Sequence, residues 1–186
     1  IHISECTIPG CFGWLSASPY KETFSRPVSY LTLSINWFFG QNNPFGYHIV
    51  NILIHVLTAI VLYLTMRLLL FSKYIRHSSQ LPGNALPLIA FIGRLLWALH
   101  PIQIQAVTYI VQRMSSLAAL FAILSLFFFT KNYTYENAAS RLRALAVSLL
   151  FYGLAILSKE NAVILPFSLL LVHLIFFSKD TRSFSR

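Results

Sequence analysis

Three short polar motifs interrupt an otherwise apolar chain: His48-x-x-Asn51-x-x-x-His55, His100-Pro101-Ile102-Gln103 running on to Arg113, and Ser158-Lys159-Glu160-Asn161. Their side chains offer two kinds of chemistry. Arginine binds phosphate through a planar fork that donates two parallel hydrogen bonds, and lysine adds a point charge. Arg26, Arg113 and Lys159 are therefore candidates to hold an anionic ligand, with pairing to Glu160 or snorkelling to lipid headgroups as the alternative. Glu160 is the acid inside the motifs and a weak candidate for a general base, since no second acid accompanies it in a recognisable arrangement. His48, Asn51 and His55 fall at i, i+3 and i+7 along one helical face, with His55 about 10 Å deeper than His48. Together with His100, Gln103 and Glu160 they are candidates to line a cavity, the alternative being hydrogen bonds that fix helix packing. No metal site is indicated, because no carboxylate or third ligand stands near the two histidines.

Hydrocarbon excludes such residues unless they pair, reach water or bind something, so the elements that carry them decide what they can do. With 56% hydrophobic and 10% charged residues, arranged in long blocks, the chain reads as an all-α integral membrane protein. A soluble domain needs more charge, and an outer-membrane barrel needs alternation. Candidate spans are residues 45–71, 86–111 with a kink at His100-Pro101, 115–129, 142–157 and 162–177, the last bent at Pro166. Residues 42–44, Asn-Asn-Pro, supply an N-cap and a first-turn proline for the first span. Residues 1–44 read as an outer-face loop with an amphipathic helix at about 27–39, where Ser29, Thr32 and Asn36 recur at helical spacing. Thr32 to Trp37 also alternates like a strand. Residues 179–186 read as a cytoplasmic tail, and the start at Ile1 and the stop just past a hydrophobic run suggest a fragment.

Cytoplasmic flanks carry excess Lys and Arg. One alternating set of connections holds Arg67, Lys73, Arg76, Lys131, Arg141, Arg143, Lys179, Arg182 and Arg186. The opposite set holds Lys21, Arg26, Arg113 and Lys159. The first set is expected in the cytoplasm, which brings all three polar motifs to the outer face. The formal charge of +9 sits at the ends of apolar segments and forms no stripe with stacking aromatics, so nucleic acid is not an expected partner. Cys6 and Cys11 match neither a zinc nor a redox spacing, and whether they bridge stays open. His173, near the inner end of its span, is expected to pack, and the glycosylation sequon Asn132-Tyr133-Thr134 falls in a cytoplasmic loop and is expected to be a chance match.

Four blocks, in order, carry a resemblance. They are Ser25-Arg26-Pro27 with Asn36; Asn43-Pro44-Phe45-Gly46-Tyr47-His48-Ile49-Val50-Asn51 with His55; Leu96-Trp97-Ala98-Leu99-His100-Pro101-Ile102-Gln103 through Ala106-Val107-Thr108-Tyr109 to Arg113; and Leu157-Ser158-Lys159-Glu160-Asn161 before Leu165-Pro166. Over roughly residues 25–178 the chain resembles the membrane part of the transmembrane and tetratricopeptide-repeat-containing O-mannosyltransferases and their bacterial relatives, within the GT-C superfamily of glycosyltransferases. Each block alone is weak, whereas four in order and spacing are specific.

The resemblance implies a multi-span enzyme that moves a sugar from a polyprenyl-phosphate-linked donor to an acceptor, often a protein hydroxyl, on the outer face. It implies as partners membrane lipid, the lipid-linked sugar and a protein acceptor, and it implies an acidic base in the first outer loop, upstream of Ile1. The family's animal members tend to carry a further His and an acid after His-Pro, where this chain has Gln103 and Gln105. A bacterial-type member in the inner membrane, with its N-terminal segment periplasmic and its C-terminus cytoplasmic, is therefore expected, or the endoplasmic reticulum membrane if the source is eukaryotic. Two other functions fit the composition: a transporter or flippase for a lipid-linked solute, and a non-catalytic membrane anchor of a repeat-containing scaffold. The first predicts an internal repeat, which the chain lacks.

Overall fold

The structure is a computed structural model that describes residues 26–41, 43–72 and 85–177. Every regular element among these residues is helical: α1 (Pro27–Gly40), α2 (Pro44–Leu70), α3 (Ala85–Ala98), α4 (Ile104–Thr108), α5 (Arg113–Asn132), α6 (Ala138–Ser158) and α7 (Leu165–Val172). Short 3-10 turns at Pro101–Gln103, Ile110–Gln112 and Glu160–Ile164 join them, and a π-turn, His173–Phe177, prolongs α7. The residue stretch that alternates like a strand lies inside α1. Cys6 and Cys11, the rest of residues 1–25 and the tail at 179–186 fall outside the described residues.

Four helical stretches are long and apolar enough to cross a membrane, namely Pro44–Leu70, Ile110–Asn132, Ala138–Ser158 and Glu160–Phe177. A fifth span results if α3 and the segment Pro101–Thr108 are counted as one, bent by 54°. The chain is an all-α integral membrane protein. Proline explains both breaks. After Ala98 the backbone of His100 is extended, its Nδ1 accepts from the Ile102 N–H at 3.2 Å, and Pro101 opens the 3-10 turn. Pro166 sits in the first turn of α7 and starts that helix, where the sequence suggested a kink within a longer one.

At the start of α2, Asn43 Oδ1 accepts from the Phe45 N–H at 3.0 Å and Pro44 occupies the first turn, as the Asn-Pro pair predicted. Gln41, with φ of 43°, makes the reversal between α1 and α2, and its carbonyl accepts from the Tyr47 hydroxyl at 3.2 Å.

α5 packs most extensively on α6 and then on α2, and Ile54, Leu117 and Leu120 form a small buried cluster at the α2–α5 contact. Midway along α5 and α6, Ser125 and Ser148 each donate to the other's carbonyl, at 2.9 and 2.8 Å, and both are buried. Small polar residues of this kind allow close approach and add hydrogen bonds between membrane helices. The outward flank of α6, with Leu142, Leu149 and Leu150, is exposed and apolar, as a lipid-facing surface is. Where α5 ends, Tyr133 stacks on Phe177 at 4.0 Å and meets His173 Nδ1 through its hydroxyl at 2.7 Å, so His173 packs as expected. Burial pushes the Tyr133 phenol above its ordinary pKa.

Candidate functional site

α1 lies across the bundle end formed by the start of α2, the start of α5 and the end of α6. Ser29, fully buried, donates from Oγ to the Ser158 carbonyl at 2.9 Å and ties α1 to the last turn of α6. Arg26 immediately precedes α1, and Lys159 follows α6 with an extended backbone (φ −160°, ψ 135°). A cation at that position complements the carbonyl end of α6.

The guanidinium of Arg26 grips Glu160 with two hydrogen bonds, Nε to Oε2 at 2.8 Å and Nη2 to Oε1, while Nη1 approaches Met114 Sδ at 3.5 Å. Lys159 Nζ donates to Ser115 Oγ at 2.7 Å, and that hydroxyl donates to Gln112 Oε1 at 2.9 Å. Between these groups lies an open depression of about 390 Å³ lined by Arg26, Gln105, Tyr109, Gln112, Ser115 and Lys159, with Val111 and Met114 as its apolar part. Its wall thus offers two cations, two primary amides, a phenol and a hydroxyl. Glu160 is 56% exposed.

Arg113 belongs to a different arrangement. It is fully buried at the first turn of α5. Nε donates to Asn51 Oδ1 at 2.8 Å, Nη1 to Asn36 Oδ1 at 2.9 Å and to the Thr32 carbonyl at 3.4 Å, and Nη2 to the Tyr47 carbonyl at 2.9 Å. The Tyr47 ring lies 5.4 Å from the guanidinium carbon. A buried cation is tolerable only when hydrogen-bonded, and here neutral acceptors from α1 and α2 do the work. The sequence placed Arg113 among phosphate ligands; the structure gives its guanidinium to protein oxygens and joins three helices through it. Asn51 completes the set, its Nδ2 lying 3.4 Å from both the Val107 and Tyr109 carbonyls. The chain break after α4 exposes the Val107 carbonyl to this donor, while the Tyr109 carbonyl also accepts from the Gln112 N–H at 3.1 Å.

The remaining candidates serve packing more than lining. His55 Nε2 meets the Ala98 carbonyl at 3.1 Å, and its ring stacks on Trp97 at 5.2 Å, closing the C-terminus of α3 against the middle of α2. His100 is exposed and caps the 3-10 turn, while His48 and Gln103 are half-buried. None of His48, Asn51, His55, His100, Gln103 or Glu160 is among the residues lining the depression. Arg94 stands apart from Arg26, Arg113 and Lys159, with its guanidinium near Tyr63 and Phe91 toward the far half of α2. Among the described residues no three His, Cys, Asp or Glu side chains gather as a metal site would require.

Gln105, Gln112 and Ser115 line the depression and were not singled out as site residues from the sequence. The available signal was their crowding about Arg113 at the mouth of an apolar span. Asn36, the partner of Arg113, was visible only as one member of a polar stripe on α1. Gly46 has a role of its own. A Cβ there would meet Asn36 Nδ2 at 3.2 Å, so glycine lets α2 pass close to α1 where Asn36 receives Arg113.

Comparison with known proteins supports the resemblance carried by the four blocks. The chain is 37% identical over 109 residues to protein O-mannosyl-transferase Tmtc3 of Drosophila melanogaster, which covers 54% of the chain and 12% of that protein. It is 30% identical over 153 residues to protein O-mannosyl-transferase TMTC4 of Homo sapiens, covering 80% of the chain and 20% of that protein. Human protein O-mannosyl-transferase TMTC1 is 37% identical over 100 residues, covering 54% and 10%. No family model matches, and no solved structure matches. These relatives are animal proteins, which gives no support to the bacterial inner-membrane expectation drawn from Gln103 and Gln105. The chain spans a fifth or less of the length of these curated relatives, and over that span it is plainly a relative of the TMTC protein O-mannosyl-transferases.

Proposed function

We propose that this chain forms part of a membrane glycosyltransferase that moves a sugar from a polyprenyl-phosphate-linked donor to a protein hydroxyl, and that Arg26 and Lys159 hold the donor phosphate. One observation carries the reading: two cations, from the start of α1 and the end of α6, converge on one depression whose wall is otherwise amide, phenol and hydroxyl. When the acceptor hydroxyl attacks the anomeric carbon, the bond from that carbon to the phosphate oxygen breaks and charge gathers on the departing phosphate. Cations fixed beside that oxygen stabilise the transition state more than the ground state.

The Arg26–Glu160 pair fits this use. Water screens an ion pair this exposed, so a phosphate that offers the same fork-to-fork geometry can take Arg26 from Glu160 at small cost. Glu160 is engaged through both oxygens until the donor phosphate takes Arg26, and its role here is to hold Arg26 in the absence of donor, with the acceptor's proton assigned to a base elsewhere in the protein. Arg113, with Asn36, Asn51 and Tyr47, fixes α1 to the bundle and positions Arg26. The excess of Lys and Arg at the opposite bundle end supports an outer-face site, lumenal in the endoplasmic reticulum given relatives from animals.

The test uses the whole protein in membranes, with a polyprenyl-phosphate-linked mannose donor and mannose transfer to protein as the readout. Arg26→Gln together with Lys159→Gln is expected to raise the donor KM and cut kcat/KM by about tenfold or more, as loss of charge-assisted hydrogen bonds does. Unchanged kinetics in the double variant would overturn the phosphate assignment. Absence of any donor-dependent transfer by the unaltered protein would overturn the enzyme reading and favour a membrane anchor.

A further inference from the structure

A second depression lies at the opposite end of the bundle, beside the turn from α5 to α6, and the proposed function makes no use of it. It measures about 220 Å³ and is lined by Phe128, Tyr135, Ser140, Arg143, Ala144 and Val147. One side is polar and cationic, while the floor of Phe128, Ala144 and Val147 is apolar. The exposed Leu142, Leu145 and Leu149 lie on the face of α6 turned away from Ser140, Arg143, Ala144 and Val147, so the cleft faces the α5 side of the helix.

Among the described residues, the charges at this end have no carboxylate partner. Arg143 makes two long hydrogen bonds, from Nε to the Ala139 carbonyl at 3.3 Å and from Nη2 to Ser140 Oγ at 3.4 Å. A guanidinium carries five N–H donors, so most of its fork faces outward. Lys131 Nζ sits 5.7 Å from the ring centres of both Phe127 and Tyr135, and Arg141 Nε donates to the Tyr135 carbonyl at 2.7 Å. Glu136 lies in the same turn, yet the ion pair found among the described residues is that of Arg26 with Glu160 at the other end. Arg143 in the wall, with Lys131 and Arg141 both beside the lining residue Tyr135, above a floor of Phe128, Ala144 and Val147, matches a ligand that is anionic at its head and hydrocarbon behind it.

We propose that this cleft between α5 and α6 binds the phosphate of an anionic phospholipid, with Arg143 and Lys131 on the phosphate, Ser140 and Tyr135 as hydroxyl partners, and the acyl chains on Phe128, Ala144 and Val147. A soluble phosphate would engage the rim and leave the floor empty. The assignment is independent of the sugar-transfer reading.

The whole protein is reconstituted in phosphatidylcholine vesicles that carry spin-labelled phosphatidylglycerol or spin-labelled phosphatidylcholine, and the protein-bound fraction of each is measured by electron spin resonance. Phosphatidylglycerol is expected to be preferred, and Lys131→Gln and Arg143→Gln are each expected to lower that preference about fivefold, the usual worth of one basic residue at an anionic membrane surface. Both side chains are at least partly exposed, so the fold survives their loss. Equal binding of the two lipids by the unaltered protein would overturn the proposal. So would an equal loss in Arg67→Gln, which would indicate diffuse attraction to the whole bundle end. Displacement of bound phosphatidylglycerol by millimolar inorganic phosphate would reassign the cleft to a soluble anion.

Discussion

Nε of Arg113 donates to Oδ1 of Asn51 across 2.8 Å in a fully buried setting, so an arginine at the start of α5 and an asparagine about two turns inside α2 act as a single unit. Through its other nitrogens the same guanidinium reaches α1, and through its own amide Asn51 reaches the break after α4. A cation that an isolated membrane helix would hold at high cost therefore becomes the joint at which four chain segments meet.

Arg113→Ala is expected to destabilise the bundle strongly, at about 1–3 kcal/mol for each buried acceptor on Asn36, Asn51 and Tyr47 that is left without its donor. Arg113→Lys should recover only part, since one ammonium cannot span the acceptors that the fork reaches. Unfolding in mixed detergent micelles measures both. A double-mutant cycle with Asn51→Ala should show coupling of about 0.5–3 kcal/mol, and strict additivity would dissolve the unit described here.

Glu160→Gln separates two roles for that carboxylate. As a partner of Arg26, its loss removes one competitor for the guanidinium, so the donor KM should fall while kcat is kept. A general base contributes about 10²–10⁴-fold, so a fall in kcat of that size would return Glu160 to the chemistry.

Gly46→Ala pits two effects against each other. Alanine favours the helix by up to about 1 kcal/mol, but its Cβ would press on Asn36, which Arg113 holds at 2.9 Å. A clamped neighbour yields poorly, so net destabilisation is expected. In an Asn36→Ala background the sign should reverse, a change visible in the same unfolding assay.

Ser125→Ala and Ser148→Ala should each cost less than about 1.7 kcal/mol, the upper range for hydrogen bonds between membrane helices. Substitution by leucine at either site should cost more, since both positions are buried at the helix contact.

Tyr133 gives a pH dependence. Its phenol is raised by burial, so the neutral form is the one the fold favours. The associated stability is fully present below the ordinary tyrosine pKa and is lost as pH climbs through the raised value. A tyrosinate absorbance titration, taken as the difference from Tyr133→Phe, should show this residue ionising later than exposed tyrosines.

Amino-acid order alone determined the spans, their kink at His100-Pro101, the cap at Asn43-Pro44 and the relationship to the TMTC proteins, because hydrophobic block length, proline geometry and capping are local properties. It also singled out Arg26, Arg113 and Lys159, because charge is costly in hydrocarbon wherever it occurs. What the three cations do was decided only by tertiary contact. Arg113 and Arg26 are the same residue type near the same bundle end, yet one is enclosed by α1 and α2 and satisfied by neutral oxygens, while the other reaches an exposed carboxylate beside an open depression. His55 and His100 likewise resembled cavity residues until Ala98 and Ile102 supplied their partners. The number of acceptors around each donor follows from how α1 lies across α2, α5 and α6, and that crossing is set by side chains up to 134 positions apart in the chain.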